Sequence, residues 1–213
     1  LYTFNRLTGE PVWPIEERAV PASIVPGEVL SPTQPHVTWP EPYSMQGIGE
    51  EDLLDFTPEL KAQSLATMED YVMGGLFNPP IHADNPMGKY AAMNCPGGAG
   101  GVNITSPPVA DPVNNIFYLS EHTACFTLRL IPGEEADLLF PNSTGTTTAQ
   151  YANSVRGATA RTPRHPSGLP IWKPPYSTIV AYDMDTGEKK FTVPTGETPQ
   201  RYKDAFERAG VAE

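Results

Sequence analysis

Prolines and glycines recur along the whole chain and limit the length of every regular element. The 213 residues include 25 prolines and 18 glycines. Proline interrupts helix interiors and central strands, because it has no amide hydrogen and its ring clashes with the preceding turn. The composition therefore predicts an all-β fold of short strands joined by structured turns. The length is enough for one sizeable core or two small ones.

The balance of charge argues against one class of partner. The formal net charge is -11, and charged residues make up 18% of the chain. Nucleic-acid binding requires Lys and Arg to neutralise phosphates, and an anionic membrane surface attracts the same residues. We therefore expect no nucleic-acid partner, and the charge gives no support to contact with an anionic membrane surface.

The chain carries no visible targeting or membrane-spanning segment. A transmembrane helix needs a run of about 18 or more apolar residues, and the sequence contains none. No signal peptide is recognisable either. The first residues, Leu1 to Phe4, lack an initiating Met and resemble a strand. We expect an internal fragment or a processed piece, from which a targeting signal can have been removed.

One region, residues 50–73, is convincingly helical. Thr57 and Pro58 form a start signal, with proline at the first helical position, and Gly74-Gly75 supplies a stop signal. We predict a helical insertion in a single β segment that covers residues 1–213. The residues that follow at helical spacing on one face are Leu60, Ser64, Met68 and Tyr71, beside Leu65 and Val72.

Three other segments carry little periodicity. Residues 14–49 are rich in proline and predict an extended, polyproline-like segment on the surface, with a disordered linker as the alternative. Residues 76–94 are predicted to be irregular. Residues 133–168 are small and polar and predict a long loop. That loop contains a basic cluster, interpreted as a solvated face or as a contact with an acidic neighbour: Arg156, Arg161, Arg164 and His165.

The remaining apolar stretches predict strands and one more helix. Residues 116–119 and 124–130 are interpreted as two strands that pair antiparallel with each other. Residues 176–195 are interpreted as a hairpin. Residues 199–210 predict a short helix that ends at Gly210.

A repeat connects the two ends of the chain. FNRLTGEPVW (residues 4–13) and YDMDTGEKKF (residues 182–191) align without a gap. Repeated hairpins with a fixed Thr-Gly turn are typical of a propeller or another repeat architecture. Asp185-Thr186-Gly187 also matches the aspartic-protease triplet. The first copy has Leu7 in place of Asp185, however, so the two copies cannot form the carboxylate pair of such an enzyme.

The stretch from Cys95 to Cys125 contains both cysteines and a glycine run. Glycines allow a backbone to approach a flat or bulky group closely. Asn103 lies between two apolar residues, and a buried Asn needs hydrogen-bond partners in the protein or in a ligand. The cysteines are consistent with two buried thiols in a cytosolic protein or with one disulfide in an exported one.

Three blocks resemble the pyrroloquinoline-quinone-dependent (quinoprotein) alcohol and glucose dehydrogenases. YTFNRLTGEPVWPIEERAVPASIVPGEVLSPTQP (residues 2–35) is similar to a family hairpin that precedes a proline-rich run. CPGGAGGVN (residues 95–103) resembles the family's Gly-Gly-x-Asn loop, and KPPYSTIVAYDMDTGEKKFTVPTGETP (residues 173–199) resembles its Pro-Pro-Tyr strand pair. The resemblance implies about three blades from the C-terminal half of an eight-bladed β-propeller with four-stranded blades.

The resemblance also implies roles for individual residues. Asn103 matches the family's Asn that contacts the quinone cofactor, and Gly100 and Gly101 would let the loop approach that cofactor. Cys95 and Cys125 match a pair that forms a structural disulfide in some members. The family's calcium ligands, its catalytic Asp and the Arg beside that Asp are expected outside this segment.

For the complete protein, the resemblance implies oxidation of an alcohol, sugar or aldehyde by hydride transfer to pyrroloquinoline quinone, with Ca²⁺ polarising the quinone. Electrons would pass to ubiquinone or a cytochrome c, and the remaining blades would belong to the same or another chain. The implied location is the periplasm, with association with the inner membrane left open. Ile104 stands where the family often has Trp. This departure favours the alternative, a non-catalytic propeller scaffold or assembly protein, or one subunit of a split propeller.

Overall fold

The computed structural model describes residues 1–97, 108–132, 151–153 and 162–211. Within these ranges short strands dominate, with two α-helices and a 3₁₀ turn at Glu50–Asp52. None of the described helices has the length and apolar character to cross a membrane. The strands are β1 (Ile15–Ala19), β2 (Thr33–Val37), β3 (Gly47–Ile48), β4 (Tyr71–Val72), β5 (Gly74–Gly75), β6 (Ile81–His82), β7 (Ala91–Asn94), β8 (Val109–Asp111), β9 (Ile116–His122), β10 (Phe126–Pro132), β11 (Tyr151–Asn153), β12 (Ser177–Asp183) and β13 (Lys189–Pro194); the helices are α1 (Pro58–Met68) and α2 (Gln200–Arg208).

Four strands form an antiparallel sheet in the order β13-β12-β9-β8. The central strands β9 and β12 pair along their whole length, with Leu119 opposite Val180 and Phe117 opposite Tyr182. Leu119, Val180 and Tyr182 are buried together on one face of this sheet. Alternate side chains of a strand point to opposite faces, so one face is packed and the other is more open. Four antiparallel strands are what one propeller blade contains.

A second sheet is mixed and contains β11, β10, β7 and β4 in that order, with β6 also paired to β10. Ala91, Ala92 and Met93 of β7 are completely buried at its centre. The prediction that residues 76–94 are irregular was therefore wrong for this strand. Two alanines give little β-propensity, and close packing between neighbouring strands decides the conformation here.

Strands β9 and β10 lie in different sheets, so the predicted pairing of residues 116–119 with 124–130 was also wrong. β9 pairs with β8 and β12, whereas β10 pairs with β7. The residues that connect β9 to β10 form hydrogen bonds to other segments instead of closing a hairpin turn. The Thr123 N–H donates to the Tyr176 carbonyl at 2.9 Å, and the Ala124 carbonyl accepts from the Gly97 N–H at 2.6 Å. The chain therefore crosses from one sheet to the other instead of turning back on itself.

The proline-rich residues 14–49 contain a two-stranded antiparallel sheet rather than a polyproline-like run. Strands β1 and β2 pair over five residues, from Ile15 opposite Val37 to Ala19 opposite Thr33. β1 contains no proline and can supply every amide donor, and a two-stranded sheet tolerates the missing donor of Pro35. The side chains of β1 after Ile15 are exposed.

Helix α1 begins where the sequence predicts. The Thr57 hydroxyl accepts a hydrogen bond from the Leu60 N–H at 3.2 Å, and Pro58 is the first helical residue. The helix ends at Met68, well before the predicted Gly74-Gly75 stop, because the following residues form β4 and pair in parallel with β7. Of the predicted stripe, Leu60, Ser64 and Met68 form the buried face of the helix. The prediction was wrong for Tyr71, which lies in β4.

Helix α2 also forms as predicted and ends before Gly210, whose φ is +69°. Its inner face buries Ala205 against Leu54 and Leu169. His165, predicted to belong to a basic loop cluster, is 2% exposed. Its ring nitrogens lie 2.7 Å from the Ser167 hydroxyl and 3.2 Å from the Leu60 carbonyl. The segment before α2 therefore contributes to the core; Arg156 and Arg161 of that cluster are outside the described residues.

The two copies of the Thr-Gly repeat form the same turn. In each copy the Asx side chain accepts two backbone N–H bonds, at 2.9 and 3.3 Å for Asn5 and at 3.0 and 3.3 Å for Asp183. Gly9 and Gly187 both have a φ of +76°, which glycine adopts without strain. The sequence repeat is therefore a structural repeat.

Candidate functional site

The three residues predicted to hold a cofactor, Gly100, Gly101 and Asn103, lie outside the described residues. The structure describes the chain up to Gly97 and again from residue 108. Their roles stay predictions, but the point from which this glycine-rich stretch starts is described in full.

A disulfide joins Cys95 to Cys125, with the two Cα atoms 4.6 Å apart. This agrees with the structural disulfide that the resemblance implies and not with two free thiols. The cysteines are 1% and 3% exposed and pack in one cluster with Met93 and Trp172. The disulfide ties the end of β7 to the start of β10, just before the glycine-rich stretch.

Gly97 fixes the first step of the chain beyond the disulfide. Its N–H donates to the Ala124 carbonyl at 2.6 Å. A Cβ atom on Gly97 would lie 2.2 Å from Cδ2 of Phe126, so no larger residue fits without moving that ring. The glycine-rich stretch therefore starts from a point packed tightly against β10.

A cavity of about 850 Å³ lies beside this anchor. It is lined by Ala124, the neighbour of Cys125, and by Trp172, which packs in the same cluster as the disulfide. This volume falls within the usual range for small-molecule sites. The aromatic residues that line the cavity are Phe56, Trp172, Tyr176, Tyr202 and Phe206.

Helix α2 and the segment before β12 place these rings. Tyr202 and Phe206 lie one turn apart on α2, and their ring centroids are 5.5 Å from those of Tyr176 and Phe56 respectively. Both pairs have the tilted or edge-on geometry that aromatic rings prefer. A cavity bounded by such rings suits a flat or cyclic ligand body.

Two buried polar atoms in this wall have no hydrogen-bond partner among the described residues: Nε1 of Trp172 and the hydroxyl of Tyr176. Burial raises the pKa of the Tyr176 hydroxyl well above its usual value, and the neighbouring Tyr202 raises it further. The hydroxyl is therefore protonated at neutral pH and can donate. Buried polar groups nearly always have partners. Both atoms have almost no accessible surface, so they lie behind the cavity wall and are not presented to a ligand in it.

The cavity also has a positive rim. Arg164 and Arg201 line it, and neither makes an ion pair with a described residue. The Arg201 guanidinium lies 4.7 Å from the centroid of the Tyr202 ring. Glu197 lines the same rim. Two guanidinium groups against one carboxylate leave a local excess of positive charge on a chain whose net charge is -11.

A smaller cavity of about 310 Å³ contains the buried carboxylate of Glu121. Glu121 is 3% exposed and accepts from the hydroxyls of Ser44 at 2.8 Å, Thr123 at 3.2 Å and Thr178 at 3.4 Å. These hydroxyls come from three separate segments of the chain. The carboxylate is therefore supplied with partners, and its contacts are those of a structural link.

The described residues contain no group of three or more His, Cys, Asp or Glu that could hold a metal ion, so calcium chemistry is assigned to none of them. Pyrroloquinoline quinone is flat and bears carbonyl and carboxylate oxygens, which accept hydrogen bonds. The aromatic rings that line the cavity fit the flat body of such a group, whereas the buried donors of Trp172 and Tyr176 are not presented to it.

No pattern in the sequence predicted Trp172, Tyr176 or Tyr202 as site residues. A signal was present, because Trp172 and Tyr176 flank Lys173-Pro174-Pro175, a stiff segment directly before a strand. The cavity itself depends on α2 packing across that segment, and no local pattern specifies such a contact.

Comparison with known proteins agrees with the resemblance. The model of the family described as "PQQ: Glucose/ethanol/alcohol dehydrogenase, beta-propeller domain" matches residues 1–211. The quinate/shikimate dehydrogenase (quinone) of Acinetobacter baylyi is 25% identical over 201 residues, which cover 92% of this chain and 24% of that protein. The glycerol dehydrogenase large subunit of Gluconobacter thailandicus is 29% identical over 206 residues, 88% of this chain and 26% of that protein.

The chain therefore spans about a quarter of the length of these relatives. A probable quinate dehydrogenase (quinone) of Xanthomonas campestris pv. juglandis is 24% identical over 204 residues, again covering 24% of the relative. No solved structure matches the chain.

Proposed function

The chain belongs to the β-propeller family of pyrroloquinoline-quinone-dependent glucose, ethanol and alcohol dehydrogenases, and from this premise we propose that the complete protein oxidises an alcohol, sugar or aldehyde. Family membership confirms the predicted partial β-propeller. When bound, pyrroloquinoline quinone would supply the hydride acceptor for such an oxidation. The catalytic Asp and the calcium ligands are proposed to lie on chain outside this segment.

The part proposed for this segment is to form one wall of the substrate and cofactor site. The rings around the aromatic cavity exclude water and orient a flat group. Asn103, Gly100 and Gly101 are proposed to contact the cofactor from the glycine-rich stretch, which starts at the anchored Gly97.

The names of the relatives guide the finer proposals. Those proteins are named for quinate, shikimate and glycerol, all of which carry hydroxyl groups. A hydroxylated substrate is therefore proposed, with electrons passed to ubiquinone or a cytochrome c. One relative is named as a large subunit, which supports assembly with a further subunit or with the remaining blades. The proposed location is the periplasm, with the inner membrane nearby.

The match of the family model to residues 1–211 is the observation that carries the proposal. A second candidate, a non-catalytic propeller scaffold or one subunit of a split propeller, is favoured by one departure from the family pattern. Ile104 stands where the family often has Trp. The two candidates differ in whether the complete protein binds the quinone and turns over.

The test uses the complete natural protein, purified and incubated with pyrroloquinoline quinone and Ca²⁺. We expect a quinone absorbance band that stays with the protein after gel filtration, and reduction of an artificial electron acceptor when an alcohol, sugar or aldehyde is added. A protein that retains no quinone and reduces no acceptor would leave the scaffold as the better description.

Matched variants connect the result to this segment. Asn103→Ala is expected to weaken quinone retention by on the order of tenfold, because an amide contact to the cofactor is lost. Asn114→Ala is the control, because Asn114 lies in an exposed turn where its side chain bonds to Asp111. Equal quinone retention in the two variants would contradict the role of Asn103.

A further inference from the structure

We propose that His165 is a pH-sensitive latch, which holds residues 162–172 against helix α1 at neutral pH and releases them when its ring takes up a proton. Five residues of this segment line the aromatic cavity: Thr162, Pro163, Arg164, Pro170 and Trp172. The inference concerns how this wall of the cavity is held in place. It therefore goes beyond the proposed function and does not depend on which ligand the cavity binds.

The segment folds back on itself in a tight turn. The backbones of Arg164 and Pro170 form an isolated antiparallel bridge. Between them, the Gly168 N–H donates to the His165 carbonyl at 2.9 Å, and the His165 N–H donates to the Leu169 carbonyl at 3.2 Å. Leu169 is completely buried, so the turn has the core on one side and the cavity on the other.

The His165 ring connects this turn to helix α1 and is 2% exposed. Its Nδ1 atom accepts a hydrogen bond from the Ser167 N–H at 3.1 Å and lies 2.7 Å from the Ser167 hydroxyl. Its Nε2 atom lies 3.2 Å from the Leu60 carbonyl oxygen, in the first turn of α1. A backbone N–H can only donate and a carbonyl can only accept, so Nδ1 carries no proton and Nε2 carries one. The hydrogen bonds themselves therefore require the neutral ring.

Protonation of the ring removes the bond that closes the turn. A proton on Nδ1 would point at the Ser167 N–H, and two donors cannot form a hydrogen bond with each other. The ring would also carry a positive charge at a site with almost no access to water, which is unfavourable without a neighbouring anion. The protonated ring is therefore expected to leave its site, and the turn then loses its connection to Leu60.

No carboxylate among the described residues is placed to stabilise the protonated ring. The Glu59 carboxylate on α1 is exposed and bonds to its own backbone N–H and to Thr57. Arg208 of α2 donates to the Ser167 carbonyl at 3.5 Å, and its positive charge opposes a second one nearby. The other charged side chains on α1 and on the turn are also positive: Lys61 and Arg164.

The direction of the pH effect follows from linkage. Burial holds the pKa of His165 in the closed wall below its usual value, although the Leu60 carbonyl opposes that shift. A released turn restores the usual pKa of about 6.5, so the open form binds the proton more readily, and the wall is closed above about pH 6.5 and opens as the pH falls. At pH 5 proton uptake favours such an open form by up to about thirtyfold, less what the closed form binds, so we expect on the order of tenfold more opening.

Amide hydrogen exchange followed by mass spectrometry tests the latch on the complete natural protein at pH 7.5 and pH 5. Exchange is corrected for the intrinsic effect of pH on amide exchange. We expect peptides that cover residues 162–172 to lose on the order of tenfold in protection at pH 5. Peptides from β9, residues 116–122, should keep their protection, which distinguishes a local opening from acid unfolding of the whole protein.

Variants assign the response to the His165 ring. His165→Asn keeps an oxygen that can accept from the Ser167 N–H but does not titrate, so its acid response should disappear. Ser167→Asp places a carboxylate beside Nδ1, which gives the protonated ring a partner and should reduce the acid response; it keeps the proposal testable if His165→Asn does not fold. His36→Asn is the matched control, because His36 lies on β2, contacts the Gln34 carbonyl and does not line the cavity.

Thermal unfolding at pH 7.5 verifies that each variant folds. Unchanged protection of residues 162–172 at pH 5 in the natural protein would overturn the proposal, and so would an equal loss in β9. A full acid response in a folded His165→Asn or Ser167→Asp variant would also overturn it. The measurement needs no quinone and no turnover, so its result is independent of the proposed oxidation.

Discussion

At the scale of single residues, the buried side chains of Glu121 and His165 stabilise the fold through hydrogen bonds to distant segments of the chain. Neither makes an ion pair among the described residues. Each is 3% exposed or less and contacts segments far apart in the sequence. Their partners are neutral hydroxyls and a backbone carbonyl, so both side chains stabilise the fold by hydrogen bonding inside a low-dielectric interior.

Glu121→Ala should destabilise the protein by about 2–3 kcal/mol, because the buried Thr178 hydroxyl and the part-buried Ser44 and Thr123 hydroxyls that now donate to the carboxylate lose this acceptor. The measurement is the free energy of unfolding in urea. Glu16→Ala is the control, since Glu16 is exposed on β1, and its effect should stay within about 0.5 kcal/mol. Equal losses for the two variants would show that the hydroxyl cluster contributes nothing.

His165 predicts a dependence of stability on pH. Burial holds the pKa of its ring below the usual value of 6.5, although the Leu60 carbonyl opposes that shift. The unfolded chain therefore binds a proton more readily than the folded protein, and the stability contributed by neutral His165 is complete above about pH 6.5 and is lost as the pH falls below it.

Urea unfolding at neutral pH and at pH 5 measures this loss in the natural protein and in His165→Asn. Other titrating groups contribute to both proteins, so the difference between them isolates His165. We expect the natural protein to lose more stability on acidification than the variant. The same loss in both would contradict a lowered pKa.

At the scale of elements, the two Thr-Gly turns have the same local geometry but different surroundings. Gly9 and Gly187 share a φ of +76°. A Cβ on Gly9 would meet no heavy atom within 4 Å, whereas one on Gly187 would lie 2.1 Å from Nε1 of Trp39. That indole donates to the Thr186 carbonyl at 2.8 Å. The second turn is therefore locked against the proline-rich segment, and the first is free of such a contact.

Gly9→Ala should cost about 1–2 kcal/mol, the usual penalty for an L-residue in the left-handed region. Gly187→Ala should cost about 1–3 kcal/mol more, because the new methyl group displaces Trp39. Urea unfolding of the two variants gives the comparison directly, and each serves as the control for the other. Equal costs would mean that Trp39 moves aside without loss.

At the scale of the whole molecule, the four-stranded sheet has an apolar face whose edge strands are exposed among the described residues, while Ala181 at its centre is buried. Val109, Tyr118, Ala181 and Phe191 form a row across β8, β9, β12 and β13. Val109 is 64% exposed and Phe191 43% exposed, as is Val193 on the same face of β13. In a propeller, neighbouring blades pack face to face, and the chain spans about a quarter of its relatives. We propose that further blades cover this face.

Residues 1–213 expressed alone are therefore expected to bind a hydrophobic dye and to self-associate as concentration rises. Phe191→Lys with Val193→Lys should reduce both effects, because it makes this face polar. Val29→Lys is the control: Val29 is 94% exposed in the connection between β1 and β2. Dye fluorescence and sedimentation measure the outcome. A chain that stays monomeric and dye-free, or a double variant no better than the control, would contradict an unpaired blade face.

The sequence by itself determined the family, the β-rich class, both helix starts and the repeated Thr-Gly turn. The helix starts and the turns depend on contacts within a few residues, such as the Thr57 cap or the Asn5 and Asp183 turns. The order of neighbouring residues is therefore enough to predict them. The resemblance in the blocks at 2–35, 95–103 and 173–199 also implied the disulfide of Cys95 and Cys125.

Only the tertiary structure decided which strands are neighbours and where the cavity lies. β9 and β10 look like a hairpin in sequence, yet Thr123 and Ala124 bind other segments and send the strands into different sheets. The aromatic cavity forms only when α2 packs against Trp172 and Tyr176, from which it is separated in sequence by β12 and β13. Such contacts form where two apolar surfaces are removed from water by packing against each other. Which surfaces meet depends on the whole fold and not on a local sequence pattern.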